Sequence, residues 1–399
     1  MNYSWGKKGG ESLVGTLGID GKHMDAIDGS QPYAELWMGT HQNGPSKNAE
    51  TGKLLSDELS VEPSLHGAEE TSELSYLFKV LSVAGPLSIQ IHPTKEQAKI
   101  LHSKDPKNYS DANHKPEIAI ALTDFELLSG FRCHSEIAAN LQGFPEILEL
   151  FGNNEKAALS SLAESPSPSS LRVVFSKIWK TDSIEIGKIV ERIYNRVKDD
   201  ATDLHFIIAR LAKLFPGDVG ALAPIFLNYF KLKPGEATFL SPNMPHAYLF
   251  GDCVECMACS DNTIRAGLTP KFIDVESLVE MLNYSETLLP KYVPTILPNG
   301  SRLFTPPGVD EFWVQEVTLN VSEKFEFDYT DSSSILVVIN GAASVSLGEK
   351  SLRLDKGQVV FVRPTSGSSE RVYLENPSDA FLAYRAFTPM RKFLKLRDN

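Results

Sequence analysis

Cysteine is scarce: four residues in 399, Cys133, Cys253, Cys256 and Cys259. Three of them crowd one short stretch, which suits no disulfide framework and points to reduced thiols in a cytosolic setting. No apolar stretch approaches the ~20 residues of a bilayer span. Residues 1–6 carry no apolar signal segment, so neither a membrane anchor nor export is expected. Positive charge is also in deficit. With 39 Lys and Arg against 51 Asp and Glu, the formal net charge is −12, which argues against a general nucleic-acid binder with a broad basic surface. An anionic small molecule must then be met by a local cluster of Lys or Arg. Histidine is missing from the C-terminal third: all nine lie at or before His246. A His-based metal site of its own is thereby excluded from that region.

What is present is mostly strand texture. Residues 1–132 are rich in Gly and Pro, with short apolar runs such as Leu77-Phe78-Lys79-Val80-Leu81 and Leu87-Ser88-Ile89-Gln90-Ile91-His92. From about residue 133 the period changes. Ile186, Ile189, Val190, Ile193 and Val197, then Leu204, Ile207, Ile208 and Leu211, recur at helical spacing and predict two amphipathic helices. The Ser/Pro run 165–170 reads as a loop between helices. Pro216-Gly217-Asp218 closes the helical block and strands return, with one helix expected over 276–284. From about 304 onward β-branched runs are punctuated by Gly341, Gly348 and Gly357. Many short strands between turns indicate a mainly β chain, sandwich or jelly-roll barrel, interrupted by a helical insertion.

Four segments carry chemistry. In 88–92 the alternation of a strand puts Ser88, Gln90 and His92 on one face. Such a face serves equally a solvated edge or a ligand set. In Asn113-His114-Lys115-Pro116-Glu117, Glu117 opens an apolar strand and needs a partner there, either a metal or an arginine. His246 follows two prolines at the start of a strand; alone, a histidine is more often a satisfied polar residue than a ligand. In 251–274, Arg265 and Lys271 supply the local positive charge an anionic substrate requires, unless they are ordinary surface charges. The spacing of Cys253, Cys256 and Cys259 invites a second zinc reading. However, alternation splits them between two faces and no fourth partner is near, so they read as small, buried, reduced residues.

Together these segments resemble type I phosphomannose isomerase, a cupin-fold family. The resemblance rests on Q-x-H-P at Gln90 and His92, N-H-K-P-E ending at Glu117, and P-H-A-Y at His246. The long signature runs through Gly251-Asp252-Cys253-Val254-Glu255-Cys256 to Arg265-Ala266-Gly267-Leu268-Thr269-Pro270-Lys271, and an N-terminal motif spans residues 32–41. The resemblance implies two cupin (jelly-roll) β-barrel domains with an inserted α-helical domain. The expected division is a discontinuous catalytic domain at 1–132 and 218–275, a helical insertion at 133–217, and a C-terminal cupin-like domain at 276–399 without a metal site. It implies one Zn2+ per subunit, held by Gln90, His92, Glu117 and His246, in a cytoplasmic monomer with neither nucleic-acid nor membrane partners.

The implied reaction interconverts mannose 6-phosphate and fructose 6-phosphate through a cis-enediol, feeding mannose donors for glycosylation. Glu255 is favoured for proton transfer, with Lys115 and His114 in ring opening or base roles. Arg265 sits near the reacting oxygens or the phosphate, and Ser88 and Lys271 are the phosphate-side candidates. Two rivals differ in class. An iron or manganese cupin oxygenase commonly uses several histidines with a carboxylate and is disfavoured by Gln90. A non-catalytic sugar-binding cupin needs no Glu255 and Arg265 beside the metal.

Overall fold

The computed structural model describes residues 1–65, 72–288, 291–328, 331–365 and 371–389. One strand organises its first half. Among the described residues this half contains β1 (Glu35–Met38), β2 (Tyr76–Val83), β3 (Ile89–Ile91), β4 (Glu117–Ala121), β5 (Phe125–Phe131), β6 (Leu227–Leu232), β7 (Ala237–Leu240), β8 (His246–Ala258) and β9 (Ile264–Gly267). The long β8 changes partners at Gly251. Its first half pairs with β3 and β5; its second half pairs with β2 and β4, all antiparallel. Gly251 has φ +112°, and a Cβ there would meet the Asp124 carbonyl oxygen at 2.4 Å. Only glycine allows this bend. β8 therefore belongs to two layers, β1-β2-β8-β4-β7 and β9-β3-β8-β5-β6. Their inner faces meet in a core that includes Leu81, Ala119 and Cys253 from one layer and Phe125, Leu127 and Tyr248 from the other.

Both outer faces are covered as well. The helical insertion packs on the second layer, burying Ile186, Ile189, Val190, Ile193 and Val197 with Leu128, Phe131, Ala247 and Ile264 in one cluster. Helix Ser183–Val197 is capped by Asp182, whose carboxylate accepts the backbone N–H of Ile184 and Glu185. Helix Asp203–Leu214 carries the second predicted stripe. Part of the 165–170 run is helical rather than loop: Pro168 opens helix Pro168–Trp179 and Ser167 caps it by accepting from Ser170 N–H. A proline at the first helical position loses no hydrogen bond, which is why the Ser-Pro run reads as a breaker yet starts a helix.

The first layer is covered by a C-terminal antiparallel sheet of eight described strands, in which Ser334–Leu347 and Val372–Phe387 form the central pair. Phe78, Val80, Ile118, Val254 and Cys256 share one core with Phe304, Val314, Ile335, Val337 and Tyr384. Gly341 lies within a strand instead of ending one. It sits at φ +71° between register shifts, where a Cβ would meet two carbonyl oxygens at 2.9 Å. The fold is the mainly β class with a helical insertion that the sequence predicts. The four packed layers explain why β2 and β4 are apolar on both faces: each is buried from both sides.

Candidate metal centre and its cavity

Side chains of β2, β3, β4, β8 and β9 line a cavity of about 800 Å³ between the two layers of the first half. Register places its parts. Gln90 on β3 is paired with His246 on β8 and with Arg265 on β9. Glu117 starts β4 beside Met257 of β8. The outcome is a cluster in which one ligand atom each from His92, Glu117 and His246 lies within 4.8 Å of the others, all three residues buried.

The hydrogen bonds fix what this cluster presents. His92 Nδ1 is 2.8 Å from the Asn262 carbonyl oxygen, and His246 Nδ1 is 2.9 Å from that of Met244. A carbonyl only accepts, so both Nδ1 atoms carry the hydrogen. Burial pushes His92 down to about 4 despite the opposing charge of Glu117, so its ring is neutral at physiological pH. Its Nε2 is then a bare lone pair, buried and without a hydrogen-bond partner, as is Glu117 Oε2. His92 Nε2 lies 3.3 Å from Glu117 Oε1, and His246 Nε2 lies 3.5 Å from Glu117 Oε2.

The Nε2 atoms of both imidazoles thus face a carboxylate at near-contact distance, each ring with its Nδ1 hydrogen already committed to a carbonyl. Such a convergence of donor atoms is what a bound cation satisfies. Ligands about 2.1 Å from a tetrahedral zinc lie roughly 3.4 Å from one another, which matches these separations. The Gln90 amide also reaches His246 Nε2, at 3.5 Å. A half-turn of that planar group exchanges its nitrogen for its oxygen and supplies a fourth donor. The donor set therefore fits a borderline divalent ion such as zinc.

Among the described residues Glu117 is paired with no arginine. Burial would raise its pKa, but His92 and Lys115 hold it well below the usual carboxylate range. Lys115 Nζ stands 3.3 Å from Oε1. Across the cavity Glu255 is gripped at both oxygens: Lys79 Nζ at 3.0 Å and the Tyr248 hydroxyl at 2.8 Å. Burial raises Glu255, offset by Lys79, while the carboxylates of Glu255, Glu35 and Glu117 outweigh burial and raise Lys79. The pair is therefore a buried ammonium beside a carboxylate more basic than an exposed one. Burial and the charge of Glu255 push Tyr248 far above its ordinary range, so it remains a hydrogen-bond donor.

Lys79 was absent from the sequence-based candidates. Its signal is the single charge in the run Leu77-Phe78-Lys79-Val80-Leu81, where a strand buried on both faces admits a charge only with a partner. Glu35, Trp37, Tyr248 and Asp261 also line the cavity and were likewise not singled out.

Of the predicted residues, Ser88, Gln90, Lys115, Glu117, Glu255, Arg265 and Lys271 line the cavity. His92 and His246 reach the metal cluster from its wall. Ile89 pairs with Gly267, so Ser88 stands on the edge that continues into residues 268–271. His114 is not brought to the cavity. Its Nε2 hydrogen-bonds Glu311 Oε1 at 2.8 Å, and Lys95 Nζ joins the same oxygen at 2.6 Å. The three clustered cysteines are free. Cys253 faces the inner core and Cys256 the outer one, and burial pushes both thiols well above their ordinary range.

Comparison with known proteins gives a consistent picture. The chain matches the family models for the phosphomannose isomerase type I catalytic domain over residues 1–134, its helical insertion domain over 150–227 and its C-terminal region over 301–350. It is 56% identical over 402 residues to a probable mannose-6-phosphate isomerase of Caenorhabditis elegans, covering 100% of this chain and 96% of the relative. It is 40% identical over 415 residues to the mannose-6-phosphate isomerase of Homo sapiens, covering 97% and 96%. A zinc-bound crystal structure of mannose 6-phosphate isomerase superposes with a TM-score of 0.82 at 29% identity, covering 98% of this chain and 97% of the other.

Proposed function

The chain belongs to the type I phosphomannose isomerase family, and from that premise we propose a zinc-dependent aldose–ketose isomerase that interconverts mannose 6-phosphate and fructose 6-phosphate through a cis-enediol. The observation that carries the proposal is the pairing, at one cavity, of a convergent His92–Glu117–His246 cluster, whose buried His92 Nε2 and Glu117 Oε2 lack hydrogen-bond partners, with a buried Lys79–Glu255–Tyr248 triad. A non-catalytic sugar-binding module would have no use for the second group.

In this reading Gln90, His92, Glu117 and His246 hold the zinc. When bound, zinc supplies Lewis-acid polarisation of the sugar oxygens at C1 and C2. Glu255 removes the C2 proton and returns it to C1. Its raised pKa favours the transfer, since a more basic carboxylate abstracts a proton more readily. Lys79 and Tyr248 hold the Glu255 carboxylate in place. Lys115, fixed against Glu117, serves proton transfer during ring opening, and Arg265 stands next to Gln90 across the strand pair to meet developing negative charge.

Ser88 and Lys271 take the phosphate. From Gln90 to Ser88 is about 7 Å along a strand, a fair match to the span from C2 of an open hexose towards its 6-phosphate. His114 is left out of the chemistry, since Glu311 engages it outside the cavity. We further assign the three domains at the boundaries given above, a monomeric and cytoplasmic state, and a supply role towards activated mannose donors. A coupled assay for fructose 6-phosphate tests the activity. Glu255→Gln should retain zinc and lose turnover by about a thousandfold or more; near-normal turnover would remove Glu255 as the base.

A further inference from the structure

The helical insertion does more than cover the second layer. Leu214 and Phe215, at its last helix, line the cavity beside Leu268, Thr269, Pro270 and Lys271. Three residues on, Asp218 reaches across to that loop. Its Oδ1 accepts the backbone N–H of Leu268 at 2.9 Å and of Gly220 at 2.7 Å, and its Oδ2 accepts that of Thr269 at 3.2 Å. Thr269 Oγ1 in turn accepts from Lys271 N–H at 3.1 Å, closing the turn that carries the lysine.

The approach of the two segments admits no side chain. A Cβ on Gly220 would meet Leu268 N at 2.7 Å, and one on Gly267 would meet Gly220 Cα at 2.7 Å. Leu268 adopts φ +54°, a conformation that a branched side chain takes only under constraint. A second tie fixes the other side of the loop: Trp179 Nε1–H donates to the Ala266 carbonyl at 2.7 Å. Asp218 is not among the residues lining the cavity, so it can act on substrate only through the loop it holds.

We propose that Asp218 is a positioning residue of the phosphate end of the cavity, a carboxylate staple at the point where the chain leaves the helical insertion, and that it sets the 268–271 loop. The inference rests on the proposed phosphate role of that loop. It gives the end of the insertion a part in substrate affinity, because the loop is strained at Leu268 and loses the acceptor of two backbone N–H groups, those of Leu268 and Thr269, when the carboxylate is removed. Charge-assisted bonds to a carboxylate are the stronger kind, so the neutral amide is a partial substitute only.

The test uses the zinc-loaded full-length enzyme and the variants Asp218→Asn, Asp218→Ala, Lys271→Ala and the Asp218→Ala/Lys271→Ala double. KM and kcat for mannose 6-phosphate are measured together with competitive inhibition by inorganic phosphate, zinc content and melting temperature. Asp218→Ala should raise KM and the phosphate inhibition constant about tenfold, with kcat within about threefold and zinc retained. Asp218→Asn should fall between it and wild type, and the double variant should be little worse than Lys271→Ala. A purely structural role would lower the melting temperature and leave KM untouched.

Wild-type KM and inhibition constants in both Asp218 variants, with Lys271→Ala impaired, overturn the staple alone. An unimpaired Lys271→Ala overturns the lysine's phosphate role. A rise in Asp218→Ala alongside it still supports the staple, now acting through Thr269. If the alanine variant fails to fold, the asparagine variant decides.

Discussion

Replacing Lys79 by methionine should leave the metal centre intact and silence the base. The side chains are of similar length, so the change removes a charge more than a volume. Lys79 Nζ and Glu255 Oε2 are 3.0 Å apart and both side chains are buried. At an effective dielectric of about 20, a pair at that distance attracts by roughly 5 kcal/mol. Each pK unit corresponds to about 1.4 kcal/mol. If half of the attraction is recovered by reorganisation, the remainder, about 2.5 kcal/mol, still disfavours the ionised carboxylate and pushes the Glu255 pKa further up, on top of the rise that burial already imposes. Once that pKa exceeds the assay pH, each further unit removes about nine-tenths of the ionised base. Turnover at neutral pH should therefore fall by up to about a hundredfold, with the acid-side limb displaced to higher pH and activity recovering as pH is raised. Protonation of Glu255 also limits the stability loss, because the carboxyl need not stay charged and unpaired. The assay is a pH–rate profile of kcat, with zinc content and circular dichroism as controls. A profile superimposable on wild type, or an acid-side limb that does not move, would refute the account of Glu255 as a base governed by Lys79.

Three further outcomes are expected. His246→Ala should lose zinc and activity while remaining folded, since it deletes one of the four proposed donors; full zinc occupancy by elemental analysis would reject the ligand set. Lys271→Ala should raise KM for mannose 6-phosphate by about one order of magnitude, the value of one charge-assisted phosphate contact, and an unchanged KM would count against it. Glu311→Gln tests the clamp on His114. Burial would raise the Glu311 carboxyl, but His114 and Lys95 hold it down to about 2 from an ordinary 4.5. A depressed folded-state pKa means stability that is present above about 4.5 and disappears as pH falls towards 2. The variant should thus be less stable than wild type by about 2 kcal/mol near neutrality, after discounting for solvent screening. Denaturant titrations should show the gap closing below pH 4.5; a gap independent of pH would show that the clamp is not electrostatic.

The legible features were those written in local patterns. The buried stripes of helices Ser183–Val197 and Asp203–Leu214 follow from their spacing. The alternation of 88–92 is what aims Gln90 and Ser88 into the cavity. Other features depended on tertiary placement. β8 reads as one strand, yet Gly251 splits it between two layers, and this split lets His246 join the metal cluster from one sheet while Glu255 lines the adjoining cavity from the other. Lys79 gave only half a signal: one charge in a run apolar on both faces demands a partner, but that partner, Glu255, lies on a strand distant in sequence. His114 sits in a motif rich in functional groups, but Glu311 from nearly two hundred residues away takes it out of the cavity. Asp218 closed the helical block in the sequence as a turn residue; its three backbone partners lie partly in a loop some fifty positions on.

The most direct test of the central claim is to strip the protein of metal and titrate zinc back while following fructose 6-phosphate formation from mannose 6-phosphate. Activity should rise linearly and level off at about one zinc per chain, and the His246→Ala variant should show no such rise. Undiminished turnover in the stripped protein, or the same zinc-dependent rise in His246→Ala, would contradict it.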